Sequence, residues 1–403
     1  MSWIKTTLGE YYDVRDGTHD SPKYVKEGYP LVTSKNLKNG KIDLTKVKFI
    51  SEKDYKEINK RSAVEAGDVL MAMIGTIGKP VEIIEPPLFA IKNVALFKTN
   101  EKQSSAYLKY FLSHPSTIAK MMKDAKGASQ MFVGLGYLRK FPITIPPLEE
   151  QLRIVNNINK AFEQIQYIKN QITEEGKLII DLKKSIISKY TKNDDKTNFI
   201  WESSPLKDLC AKYKNDIVDG PFGSNLKTND FKDEGIPVLK IQHVKQFKIN
   251  YSKPTFISHQ KYGELRRHSF RKGDIVLTKL GKPLGAASVV KEINEGIIVA
   301  DLVRIRIDPK KLNNDFLCFQ LNSSHIQKKI NSLSKGATRP RIKLDVIRNL
   351  KINYPHLEQQ KEIAAKLNIL LKQISKYIKI NEDKSSQLEL LKLSILRKFL
   401  MKK

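Results

Sequence analysis

Cysteine is almost missing. Cys210 and Cys318 stand isolated, so neither a disulfide framework nor a zinc ribbon can be assembled, and a reducing compartment is expected. No stretch reaches the roughly 18 consecutive apolar residues of a spanning helix. The opening MSWIKTTLGE lacks the apolar run of a secretory signal, which points to a cytoplasmic protein without a membrane partner. The seven histidines never fall at zinc spacing. Acidic residues are in deficit: 43 Asp and Glu face 72 Lys and Arg, a formal net charge of +29. A polyanion is the simplest partner for such a field, although a biased lysine-rich genome gives the same excess. Apolar residues are not in deficit. At 40% of 403 residues they suffice for two or more cores.

The chain is written twice. Gly28-Tyr29-Pro30-Leu31-Val32 returns as Gly235-Ile236-Pro237-Val238-Leu239, and Phe49-Ile50-Ser51 with Tyr55 as Phe256-Ile257-Ser258 with Tyr262, both offset by 207. Gly67-Asp68-Val69-Leu70 and Gly75 match Gly273-Asp274-Ile275-Val276 and Gly281 at 206. Gly127-Ala128-Ser129 matches Gly336-Ala337-Thr338, and Ile145-Pro146-Pro147-Leu148-Glu149-Glu150-Gln151 matches Tyr354-Pro355-His356-Leu357-Glu358-Gln359-Gln360, both at 209. Ordered matches with so small a drift mark a tandem duplication, with too few and too long units for a solenoid.

Each copy reads as a mixed α and β head followed by a long helix. Pro30–Thr33, Val69–Ile74, Val81–Ile84, Ala90–Phe97 and Pro142–Ile145 have strand character in the first copy, with helices over Glu101–Ser113 and Ser116–Lys126. The second copy gives strands at Ile275–Leu277, Ile297–Ile307 and Lys351–Tyr354, and helices at Asn314–Asn322 and Ser324–Leu333. Domain limits follow: heads at 1–146 and 193–355, helices at 147–192 and 356–403.

In the helical tails, Gln151, Ile158, Ile165, Ile172, Ile179 and Ile186 recur every seven residues, with Ile154, Ala161, Ile168, Glu175, Leu182 and Lys189 between them. The second tail repeats the pattern with Gln360, Leu367, Ile374, Asn381, Leu388 and Ile395, and with Ile363, Leu370, Tyr377, Lys384, Leu391 and Lys398. A sustained 3–4 spacing is a coiled-coil seam. Prolines precede each run, where a helix start tolerates them. About 40 residues make a rod of roughly 60 Å, too long to bury its stripe on one compact head, so each helix is the other's nearest partner. An antiparallel pair is expected, with the heads at opposite ends about a pseudo-two-fold axis. Glu175 against Asn381 and Lys384 either fixes register by opposite charge, or marks a solvated break near Gly176.

Searches for catalytic signatures fail. Gly75-Thr76-Ile77-Gly78-Lys79 is too short for a phosphate loop and runs into Pro80. Glu85-Pro86-Pro87-Leu88 lacks the first residue and the aromatic of the amino-methyltransferase signature. Glu175-Gly176-Lys177 and Glu382-Asp383-Lys384 have the Glu-x-Lys spacing of nuclease metal sites but fall inside the rods.

Duplicated heads alternating with long helices, Asp219-Gly220-Pro221-Phe222-Gly223-Ser224, the weaker Asp16-Gly17-Thr18-His19, the Gly-x-Pro and Gly-Asp-hydrophobic segments, Gly336-Ala337-Thr338 and the Pro-x-Leu-Glu-x-Gln helix starts together resemble the specificity subunit of Type I restriction-modification systems. The resemblance spans essentially the whole chain. It implies an α+β fold of two mixed α/β target recognition domains separated by two long antiparallel coiled-coil helices. It also implies a non-catalytic subunit in which each head reads one half of a split double-stranded DNA target while the helices set the gap. Two methyltransferase subunits would dock on the helices, joined by a nuclease-translocase subunit. No cofactor is then expected in this chain: S-adenosylmethionine would belong to the methyltransferase, ATP and Mg to the nuclease. The missing Pro-Phe-Gly after Gly17 sets the first copy apart from the pattern.

Base edges are read by polar side chains, and phosphates are held by cations. Loops between the repeated landmarks offer Ser34, Lys35, Asn36, Thr76, Lys79, Ser129 and Gln130 in the first head. The second offers Lys240, Gln242, His243, Thr278, Lys279, Lys282, Lys335, Thr338, Arg339 and Arg341. Because intervening residues differ between copies, an asymmetric target is expected. Two other readings compete: a stand-alone DNA-modifying enzyme with an unrecognised site, and a coiled-coil adaptor.

Overall fold

The computed structural model describes residues 3–127, 131–192, 199–336 and 338–400. It divides into two compact units, residues 1–172 with 382–403, and residues 173–381. Each unit therefore holds one head and a segment of both long helices, Leu148–Thr191 and Leu357–Leu400. No described helix is long and apolar enough to cross a membrane.

The heads repeat one plan. In the first, an antiparallel sheet runs Asp13–Asp16, Val94–Lys98, Val69–Ala72, Gly78–Glu82. In the second the order is Ile217–Asp219, Leu302–Ile305, Ile275–Thr278, Ala287–Val289. The two strands beginning Val69 and Ile275 are buried at every residue, which is why their apolar runs are continuous rather than alternating. Helices Ser105–Ser113 and Asn314–Asn322 belong to the same cores, each started by a side-chain cap, Ser104 and Asn313. Each head is entered and left through one two-stranded ladder: Ile4–Thr7 pairs with Pro142–Ile145, and Glu202–Pro205 with Lys351–Tyr354.

The repeated Gly-Asp-hydrophobic segments have a common cause. Asp68 accepts from the Glu65 amide at 2.7 Å and pairs with Lys98 at 3.0 Å. Asp274 accepts from the Arg271 amide at 2.9 Å and takes a bidentate pair from Arg306 at 2.7 and 2.8 Å. One carboxylate thus closes a turn and ties it to the strand alongside.

The expected strands Ala90–Phe97 and Ile297–Ile307 are each two strands. Asn93, at φ 54°, breaks the first into Ala90–Ile91 and Val94–Lys98. The second becomes Glu295–Ile298 and Leu302–Ile305. The leading half of each pairs in parallel with the Gly-x-Pro strand, Ile91 with Val32 and Ile298 with Leu239. The trailing half joins the central sheet, so the break is a switch between sheets that apolar content alone does not reveal.

Within the first unit, Ile154 and Ile158 near the start of one helix share a cluster with Leu396 and Leu400 at the end of the other. Phe162 faces the Lys392 ammonium at 5.5 Å, and Lys169 pairs with Glu389. Within the second unit, Ile187 near the first helix's end shares a cluster with Ile363, Ala364 and Leu367 near the second's start, and Tyr190 lines one pocket with Ile363 and Lys366. Both contacts are antiparallel. The two tryptophans lie at these junctions: Trp3 packs against the cluster that holds Tyr107, Ile154 and Leu396, and the Trp201 ring lies 6.2 Å from that of Phe316.

The seam departs from the expected register in the same way in both helices. The series from Gln151 and from Gln360 stays on the covered face. Of the companions, Ile154, Ala161, Ile363 and Leu370 are covered, whereas Ile168, Glu175, Leu182, Lys189, Tyr377, Lys384, Leu391 and Lys398 are exposed. Their places pass to the next residue along: Lys169, Gly176, Lys183, Tyr190, Ile378, Ser385, Lys392 and Phe399. A helix of 3.6 residues per turn drifts against a 3.5 repeat, and here the stripe follows the helix. Glu175 is consequently not a seam residue, and its charge does not face Asn381.

Candidate nucleic-acid interface

In the first head, three segments converge on the break at Lys92-Asn93. The Gly-x-Pro strand ends in the turn Ser34–Asn36, and the Ser34 hydroxyl donates to Asn93 O at 3.4 Å. The glycine loop after Ala72 is held when Gly75 N donates to Met131 O, and Ile74 bridges Phe132. The segment following Asp16-Gly17 lies against the same break: Thr18 N donates to Ile91 O at 3.0 Å, His19 bonds Asn93 Oδ1 at 2.8 Å, and the Lys92 ammonium reaches Ser21 Oγ at 2.5 Å. Gly17 is required because a Cβ there would lie 2.3 Å from Ile91 O.

The result is a groove of about 700 Å³. Ser34, Lys35, Asn36, Thr76 and Lys79 all line it, so every described candidate of this head comes together in one place. Ser129 and Gln130 lie outside the described residues. Sequence reading missed Lys38, Lys46, Lys48 and Lys92, which line the same groove, and Tyr24, whose ring the Lys48 ammonium overlies at 4.1 Å. The available signal was the cluster of lysines flanking the recurrent strand. Six lysines and no acid stand among the described lining residues. Asp43, close by, accepts from Lys38 and Thr45, and these bonds hold its carboxyl well below the usual range.

The second head is built alike. Val299 N donates to Leu239 O, the backbone leading into the turn Ile241–His243. The loop Thr278–Gly285 is joined to the break by Lys279 N on Asp301 O at 3.0 Å. It is joined to Lys335–Arg341 by Gly281 N on Pro340 O at 2.9 Å, and by Ile342 N on Lys279 O at 3.0 Å. Lys335 and Arg341 exchange backbone hydrogen bonds that close the loop between them, as Lys126 and Phe132 do in the first head. Gln242, Lys282, Lys335, Thr338, Arg339 and Arg341 are exposed on these loops. Arg339 stands 3.6 Å from Asp301, and the half-buried Lys240 has its ammonium 4.2 Å over Phe231.

Four candidates are not presented as expected. Asn36 is 5% exposed, its Oδ1 accepting from Thr33 and its Nδ2 donating to Asp43 O and Lys46 O. His243 occupies the matching place at 2% exposure, its Nδ1 accepting from Lys240 N at 3.2 Å. Thr278 is fully buried, donating to Pro283 O and accepting from Ala286 N. Lys279 is 5% exposed, with its ammonium 2.5 Å from Asp219. Short polar side chains in tight turns satisfy their own backbone before reaching outward. These four shape the loops instead. Both cysteines are buried, which pushes their thiols up to about 12 and keeps them protonated.

Comparison with known proteins is consistent in sequence and in fold. Residues 2–175 and 200–390 each match the family model of the Type I restriction modification DNA specificity domain. The chain is 26% identical over 381 residues to the Type I restriction enzyme MjaVIII specificity subunit of Methanocaldococcus jannaschii, covering 91% of this chain and 84% of that one. It is 21% identical over 391 residues to the EcoBI specificity subunit of Escherichia coli, covering 92% and 79%. Among solved structures, a chain from work on complex assembly and conformational transition of the type I R-M system superposes with a TM-score of 0.73 at 20% identity, over 99% of this chain and 97% of that one. The HsdS subunit from Thermoanaerobacter tengcongensis gives 0.57 at 19% identity, over 99% and 96%.

Proposed function

From the premise that this chain belongs to the Type I restriction-modification DNA specificity family, with two copies of its domain, we propose that it reads an asymmetric, bipartite double-stranded DNA target, one half-site per head. The observation that carries this is the lysine groove of the first head. Independently anchored loops deliver hydroxyls and six ammonium groups to one surface, with no acid among its described lining residues. That surface combines phosphate neutralisation with groups able to meet base edges. Ser34, Lys35, Thr76 and Lys79 are its contacts, with Lys38, Lys46, Lys48 and Lys92 beside them. In the second head Lys240, Gln242, Lys282, Lys335, Thr338, Arg339 and Arg341 serve the same end. Arg339 and Arg341 stand on the second surface beside its lysines, whereas no arginine stands among the described lining residues of the first, and a bidentate guanidinium favours guanine. The half-sites therefore differ.

The long helices act as the spacer. Antiparallel pairing inside each unit supports two half-sites read in opposite strand directions. Leu182 and Leu391, 54% and 46% exposed, lie on the helix faces turned away from the seam. Such apolar residues suit docking of two methyltransferase subunits, which would bring S-adenosylmethionine, with a nuclease subunit bringing ATP and Mg. The test is co-expression with the methyltransferase encoded beside this chain, followed by mapping of modified bases. One split motif with a fixed gap, absent without this chain, is expected. An active methyltransferase in a soluble complex that adds no new modification would overturn the reading.

A further inference from the structure

The Asp-Gly-Pro-Phe-Gly-Ser segment of the second head is not accounted for by loop closure alone. Its first half is firmly anchored. Asp219 pairs with the buried Lys279 ammonium at 2.5 Å, and its carbonyl takes a bond from His268 Nδ1 at 2.6 Å. Gly220 N donates to Leu302 O at 3.2 Å, and a Cβ on Gly220 would lie 2.1 Å from the Val299 carbonyl carbon. Pro221 is buried, and Leu226 packs into the core beyond. Between these anchors the chain turns through Asn225 N on Phe222 O at 2.9 Å. The Phe222 ring is left 72% exposed.

A large aromatic is thus held in water on an anchored turn. The anchor names the surface it belongs to. Asp219 holds Lys279 in the glycine loop, and Gly220 sits on the break from which Lys279, Arg339 and Lys240 are positioned. In the first head the corresponding segment touches Lys92 and Asn93, both lining the groove. There it carries Thr18 and His19 where the second carries Pro221 and Phe222. Apolar side chains at a cationic DNA surface act as wedges, entering a base step and unstacking it.

We propose that Phe222 is such a wedge, stacking into a base step at the second head's half-site and opening the duplex there, where the matching turn of the first head presents Thr18 and His19. This rests on the DNA-reading function proposed above. The ring supplies stacking surface without sequence preference of its own, so it adds affinity and deformation while the neighbouring loops read bases.

The experiment uses the complex with its methyltransferase, on duplexes bearing the mapped target. 2-Aminopurine replaces adenines singly, and permanganate reports unstacked thymines. The wild-type complex is expected to open one step in the second half-site, apart from any base that the methyltransferase itself extrudes. Phe222→Ala is expected to abolish that signal and weaken specific binding about tenfold, while Phe222→Trp retains both. Phe222→Ala binding the split target with undiminished affinity and an unchanged opening signal would overturn the wedge alone. A complex that binds no split target would overturn both this inference and the function beneath it.

Discussion

Gln151 and Gln360 show how one residue type accounts for a motif. Each is fully buried at the start of a long helix, in the Pro-x-Leu-Glu-x-Gln pattern. Gln151 accepts from Ser104 N and donates to Pro146 O and Tyr11 Oη, and Gln360 accepts from Asn313 N and donates to Pro355 O and Lys311 O. Helix, entering loop and head helix meet on one amide. Gln151→Leu and Gln360→Leu fill the space but orphan a buried N–H and carbonyls, at a cost of about 1–3 kcal/mol each, measurable by urea denaturation. His243 gives a second prediction at this scale. Burial, first, holds its imidazole below the ordinary range. The unfolded chain therefore binds the proton more readily, so stability is full above the unfolded pKa of about 6.5 and declines as pH falls through the folded value. Asn36 makes the matching turn with an amide: Asn36 N donates to Thr33 O as His243 N does to Lys240 O. His243→Asn should keep the turn and flatten the fall in denaturation midpoint between pH 7.5 and 5.5. His114 and His325, also held low by burial, keep part of that slope. An unchanged slope would show that His243 does not carry it.

At the scale of elements, the long helices separate what periodicity reveals from what it hides. Their existence, starts and the series from Gln151 and Gln360 were legible, because a sustained seven-residue apolar repeat fits little besides a paired helix. The companion series was not. Sequence spacing cannot say whether a pair of helices supercoils to keep the 3.5 repeat or stays straighter and lets the stripe drift. Leu367, fully buried, and Leu391, 46% exposed, make the difference measurable. Leu367→Ala should destabilise by about 2–5 kcal/mol. Leu391→Gln should stay within about 0.5 kcal/mol yet weaken retention of the methyltransferase in a pull-down. Equal losses of stability would return Leu391 to the seam. The same divide runs through the candidate interface. Loop positions were readable from the repeated landmarks, so Ser34, Lys35, Thr76 and Lys79, named from the sequence, fall together on one groove. Side-chain direction was not readable: Asn36 and Thr278 carry chemistry suited to bases but spend it on their own turns. Lys92 was hidden because the break at Lys92-Asn93 lies inside an apolar run that reads as one strand.

The whole molecule is a repeat whose halves share a frame and differ in their loops, and that combination permits a decisive exchange. Each head is joined to the rest through one ladder, in register Ile4 with Ile145 and Glu202 with Tyr354. Entry and exit lie side by side, so a head can be replaced without altering the span its ends must cross. The buried glutamines after each ladder make equivalent bonds, so the helix start of one copy suits the head of the other. Grafting residues 4–145 in place of 202–354 should therefore give a folded chain carrying the lysine groove twice. On the proposed reading, in which the half-sites are read in opposite strand directions and the helices set the gap, its target becomes an inverted repeat of the first half-site with the gap unchanged. Modification mapping of the grafted chain with its methyltransferase reads the outcome directly. A direct repeat would overturn the opposed orientation of the heads. A changed gap would overturn the role of the helices as the ruler. Retention of the original second half-site would show that its specificity lies outside the grafted residues.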